Sequence, residues 1–127
     1  MSTVPGADTS HERICWRFTL VDTGGPWAIT ADTWPEVIGH LRDVESMTVN
    51  EIFSNGEEPG KDYPLNEGFP RESAANKRWS DLELDDQDRV SRIRFGGKLR
   101  LYGLRVDNVF HIIWWDREHR VWPSKKR

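Results

Sequence analysis

The 127-residue chain contains one cysteine, Cys15, so neither an internal disulfide framework nor a cysteine-only metal cage is open to it. A reducing compartment, by default the cytoplasm, is expected. No long uninterrupted apolar run occurs, and the opening MSTVPGADTSHER lacks the basic-then-apolar order of a secretory signal. Neither export nor a membrane partner is expected. GxGxxG, phosphate-loop, GxSxG and HExxH patterns are absent, which removes support for dinucleotide, nucleoside-triphosphate and standard hydrolase chemistry. No repeat is present, and seven Pro and ten Gly are too few for a fibrous or low-complexity chain.

What is present suits one globular domain. Seven tryptophans offset a mean hydropathy of −0.72, because each can bury roughly 150–250 Å². Residues 1–12 read as a flexible N-terminus, 13–123 as a single α+β domain and 124–127 as a basic tail. The net charge of −3 is divided unevenly. Residues 1–91 hold 8 Lys+Arg against 18 Asp+Glu, a net of −10, whereas residues 92–127 hold 10 against 3, a net of +7. Such asymmetry points to an anionic partner for the C-terminal third, or to acidic and basic segments that neutralise each other.

Alternating apolar residues Ile14, Trp16, Phe18 and Leu20 predict a strand, and Trp27–Thr30 resumes the alternation after the Asp22–Pro26 turn residues, so an N-terminal β-hairpin is expected. Thr33 and Glu36 form a capping-box pattern ahead of Trp34, Val37, Ile38, Leu41 and Val44, which predicts a helix over 34–45. A second box, Thr48 with Glu51, flanked by the staple pair Met47 and Ile52, predicts a short helix near 49–54. Gly56, Pro59, Gly60 and Pro64 make residues 54–69 a loop, either a lid or a plain linker. Pro70 and the Ala75, Trp79, Leu82 spacing predict a helix over 70–80, followed by an acidic connector from Asp81 to Asp88.

The basic third predicts a strand at Arg92–Phe95, a Gly96-Gly97 turn, and a strand from Lys98 to Val106 whose apolar parity flips at Gly103, the mark of a bulge. Asp107-Asn108 reads as a type I′ turn. Val109–Trp115, apolar on both faces except at His111, reads as a central strand, and Arg120–Trp122 as a last strand ended by Pro123. The fold class is therefore α+β: an antiparallel sheet with helices packed on one face and the N-terminal hairpin added.

Three chemistries compete. His111, Asp116 and His119 have the donor types for a divalent metal. Lys98, Arg100 and Tyr102 on one strand, Arg92 and Arg94 on its neighbour, and Arg117 beyond the hairpin, interleaved with Trp114, Trp115 and Trp122, form a basic and aromatic combination suited to unpaired RNA. RNA cleavage needs only charge neutralisation and proton transfer around the substrate's own 2′-hydroxyl, and so no metal or other cofactor. A non-enzymatic protein-interaction module, using the acidic helices or the basic sheet, is the alternative.

The run GGKLRLYGLRVDNVFHIIWWDREHRVW resembles the terminal hairpin of the RelE/ParE superfamily of bacterial toxins, in which a basic strand, a tight turn, an apolar strand, a basic turn and a closing aromatic follow in that order. The whole chain also resembles small bacterial proteins of unknown function ending in WWD-x-x-H-x-V-x-P. The toxin resemblance implies a metal-independent, ribosome-dependent endoribonuclease that cleaves mRNA and is neutralised by an antitoxin protein. It implies catalytic roles for Arg100, His119 and Arg120, with Arg117 as the other candidate for the basic residue before the last strand. Trp122 stands where those toxins often carry a tyrosine, and an indole has no ionisable hydroxyl for acid–base work.

Overall fold

A computed structural model describes residues 9–54 and 58–123. The fold is α+β. Five strands, β1 (Cys15–Arg17), β2 (Gly60–Pro64), β3 (Arg89–Arg94), β4 (Arg100–Val106) and β5 (Val109–Asp116), form one sheet in the order β1-β5-β4-β3-β2. All neighbours are antiparallel except β1, which runs parallel to β5. Three helices accompany the sheet: α1 (Trp34–Val44), α2 (Val49–Phe53) and α3 (Ala75–Asp81).

The expected N-terminal hairpin does not form. Cys15 pairs with Val109 and Arg17 with His111, while Trp27 and Ile29 enter two different apolar clusters instead of one strand face. The 27–30 segment lies against β5 through the Trp115 N–H to the Trp27 carbonyl.

The expectation of helices on one face is also corrected. Alternation along β4 and β5 sends Leu101 and Trp115 into a cluster with Val37, Leu41 and Ile52 of α1 and α2, and Tyr102 and Trp114 into another with Ala75 and Trp79 of α3. Helices therefore cover both sides. This is why β5 carries almost no polar residue: a strand buried on both faces has no side to give to water.

Local chemistry explains most boundaries. Thr48 and Glu51 form the reciprocal capping box, with bonds of 2.8 and 3.1 Å. Thr33 does not: its hydroxyl accepts the Thr30 N–H at 2.9 Å, while Glu36 is drawn away to Trp115 Nε1 at 2.6 Å. Helix α3 starts at Ala75, not at Pro70, because Asn76 bonds the Phe69 backbone in both directions and holds residues 69–70 in a turn.

The loop expected over 54–69 contains β2, an edge strand of polar composition that is ordered by its ladder to β3. A bulge is present at the expected level, with the register shifting between Tyr102 and Gly103, but its extra residue is Ile113 of β5, not a residue of β4. In the Asp107-Asn108 turn only Asp107 has positive φ (56°), so it is not type I′, which requires both residues there.

Residues 9–12, expected to be flexible, are tied to the start of α2: Asn50 N–H donates to Ser10 O at 2.8 Å and Val49 N–H to Glu12 O at 2.9 Å. The rest of that expected segment, 1–8, and the basic tail 124–127 lie outside the described residues. Among the described residues no helix is long and apolar enough to cross a membrane.

Candidate nucleic-acid interface

Register assembles the site. Lys61 of β2 lies opposite Arg92 of β3, Arg92 opposite Tyr102 of β4, and Tyr102 opposite Trp114 of β5. One rung along, Arg94 faces Arg100 and Arg100 faces Asp116. Directly opposite residues share a face, so Lys61, Arg92, Arg94 and Arg100 gather on the side that also carries Tyr102. The acids counted in the first two-thirds are partly engaged elsewhere, with Asp22 on Arg78, Asp62 on Arg105 and Glu36 on Arg117.

The cations are not equally exposed. Arg92 and Arg100 are only 5% and 6% exposed, whereas Arg94 is open to solvent and pairs with Glu58 at 2.7 Å. Arg100 donates to the Gly97 and Leu99 carbonyls at 2.8 and 3.1 Å. Burial lowers its pKa, with the charges of Arg94 and Arg92 adding to the effect; a guanidinium nevertheless stays protonated. Arg92 donates to the Pro59 carbonyl at 3.3 Å and lies over the Tyr63 ring.

Tyr102 is 0% exposed, and its hydroxyl has no hydrogen-bond partner among the described residues. Burial pushes its pKa up, followed by the acidic groups Tyr63 and Asp116, so the phenol keeps its proton.

His119 sits in the loop after β5 with φ of 58°. Burial lowers its pKa, and the charge of Arg100 lowers it further, so the neutral imidazole is favoured. Asp116 organises this loop: its carboxylate accepts the N–H groups of Arg120 and Val121, both at 2.7 Å, and of Glu118 at 3.3 Å. Burial nonetheless raises its pKa against these bonds. Trp122, from the same loop, stacks on Tyr63 with ring centroids 4.1 Å apart. Both rings are half-buried.

Several expected site residues are placed differently. Tyr102, Trp114 and Trp115 belong to the interior and offer no surface for stacking. Lys98 lies in the exposed β3–β4 turn, outside the strand face that holds Arg100. Arg117 is held at 3.0 Å by Glu36, beside Trp115 on the α1 side. Arg120 is exposed and, with Arg117 and His119, lines a cleft of about 700 Å³ shared with Trp27, Thr33 and Glu72. The Arg120–Trp122 strand is absent, because Asp116 takes the N–H groups that a ladder would use. His111, Asp116 and His119 do not converge: no group of three His, Cys, Asp or Glu among the described residues can hold a metal ion.

Lys61 and Tyr63 were missed in the sequence, although Lys61-Asp62-Tyr63 between Gly60 and Pro64 has the form of a short edge strand. No protein-family model, curated protein or solved structure matches the chain.

Proposed function

We propose that this chain is a RelE-like RNA- or ribosome-binding protein that holds single-stranded RNA against the sheet face bearing Lys61, Arg92, Arg94 and Arg100. The observation that carries the reading is the collection of these four cations, from three strands, on one face. The half-buried Tyr63–Trp122 stack beside them supplies ring surface for an unpaired base. Arg94 reaches solvent through an exposed pair with Glu58, which a phosphate can replace at small cost.

Cleavage of mRNA is the finer proposal. A neutral His119, in the cleft it shares with the exposed Arg120, can accept the proton of a 2′-hydroxyl as that oxygen attacks phosphorus; Arg120 stabilises charge on the phosphate, and the 5′-oxygen that leaves takes a proton from water. An antitoxin protein able to cover the basic face is the partner this reading expects.

The test uses a fluorescent oligoribonucleotide and purified protein. Anisotropy should show binding at low salt that weakens steeply as salt rises and drops further in a Lys61→Ala, Arg94→Ala double variant. Absence of binding at low salt overturns the reading. For cleavage, induced expression in a bacterial host should arrest growth, and His119→Ala should relieve the arrest; equal growth of both removes catalysis and leaves binding alone.

One observation favours the protein-interaction alternative. Phe18 is 47% exposed and borders a groove of about 700 Å³ lined also by Val21, Ile29 and Trp34. A partner retained by wild type and lost in Phe18→Asp, with no RNA bound by either, would make that reading the better one.

A further inference from the structure

Tyr102 poses a specific question within the cationic face. Leaving a buried hydroxyl without a partner costs roughly 1–3 kcal/mol, and a phenylalanine would fill the same space without that cost. Its neighbours on this face are cationic: Arg92 stands directly opposite on β3, and Arg100, one rung away on its own strand, donates among the described residues to two backbone carbonyls. The carboxylate on this part of the face, Asp116, already accepts three backbone N–H groups. A proton donor without an acceptor among the described residues, with one arginine opposite it and another one rung along its strand, matches an oxyanion.

The shape of the surroundings narrows the ligand. An internucleotide phosphodiester continues covalently in two directions and needs an open groove on either side. Around Tyr102 the face is closed: Val121 and Trp122 of the C-terminal loop belong to the same apolar cluster, and neither Arg92 nor Arg100 is more than marginally exposed. A place covered by that loop, and not open as a groove along the strands, suits a group attached at one point. We infer that Arg92, Arg100 and the Tyr102 hydroxyl form a seat for a terminal phosphate, the phosphomonoester at one end of an RNA strand. Entry requires the loop carrying His119 and Trp122 to lift from the face. The inference rests on the RNA-binding reading above and adds end recognition to it.

The experiment compares three versions of one short oligoribonucleotide, with a 5′-phosphate, with a 3′-phosphate, or with hydroxyls at both ends, by competition anisotropy. One phosphorylated strand should bind at least roughly tenfold more tightly than the hydroxyl-ended one, and which strand does so identifies the end that is read. In Tyr102→Phe that ratio should fall toward one, while the thermal midpoint of the free protein stays equal to wild type or rises, because an unsatisfied buried hydroxyl has been removed.

If the hydroxyl-ended strand binds and neither phosphate improves it, the seat is refuted and the RNA reading stands. Where no strand binds, the RNA reading fails and inorganic phosphate decides the seat: it should raise the midpoint of wild type more than that of Tyr102→Phe. Equal shifts in the two proteins refute the seat as well.

Discussion

Trp114 Nε1 donates to Asp22 Oδ2 at 2.9 Å, joining two residues 92 positions apart. The same carboxylate accepts Arg78 Nε and Nη2 at 2.8 and 2.7 Å, and the Gly24 and Gly25 N–H groups at 3.0 and 3.2 Å. One buried acid thus holds together the 22–25 turn, helix α3 and the sheet. Gly25 is part of the fit, since a Cβ there would meet Arg78 and the Asp22 carboxylate itself.

Asp22→Ala should destabilise the protein by about 2–4 kcal/mol, because it leaves the Trp114 N–H buried without an acceptor and removes the partner of Arg78. Arg78 is 26% exposed, so water recovers part of its loss, which is why the range lies below the roughly 3–5 kcal/mol of breaking a fully buried pair. Urea denaturation should show a lower midpoint with an unchanged slope.

The pH dependence of the same site has a defined sign. The hydrogen bond from Arg78 is the main cause holding the Asp22 carboxyl well below the usual carboxylate range, against the opposing effect of burial. As pH falls below about 4, the unfolded chain takes up this proton before the folded one does. The contribution of Asp22 is therefore complete at neutral pH and is lost on acidification through that region. Stability measured from pH 7 down to 2 should fall less steeply in Asp22→Asn than in wild type.

Gly103→Ala should cost at least about 1–3 kcal/mol. A Cβ at this position would fall against the His111 carbonyl oxygen and the Phe110 ring, and the carbonyl belongs to the paired strand, so it cannot retreat without disturbing the ladder. A thermal melt of the variant unchanged from wild type would contradict this account of the bulge.

Arg94→Ala should leave stability nearly unchanged, since its pair with Glu58 is exposed. If the basic face holds RNA, the same substitution should reduce the slope of log affinity against log salt by about 0.7, the value of one single-strand phosphate contact. An unchanged slope places Arg94 outside the interface.

Elements were legible where local chemistry decides them. The Thr48–Glu51 capping box, the face of α1 built from Val37, Leu41 and Val44, and the parity change at Gly103 all follow from neighbours within a few residues, and all appear in the structure. The Thr33–Glu36 box failed because a tryptophan about 80 positions away competes for the glutamate. Strand β2 was missed because its polar residues carry almost no apolar pattern; β3 orders it through backbone bonds. Within the candidate site, the positive charge of Arg92, Arg94 and Arg100 was readable as composition, but their depth was not. Covalent order says nothing of which loop returns to cover a face.

Composition and periodicity by themselves determined the α+β class, the three principal C-terminal strands and the concentration of positive charge in the last third, because propensity, alternation and charge are properties of adjacent residues. Tertiary structure alone decided that β1 joins β5 in parallel, that helices occupy both sheet faces, and that Tyr102 ends up buried beside Arg92 and Arg100 with its hydroxyl unsatisfied among the described residues. Those outcomes depend on which distant surfaces exclude water from one another, and that is settled only when the whole chain has packed.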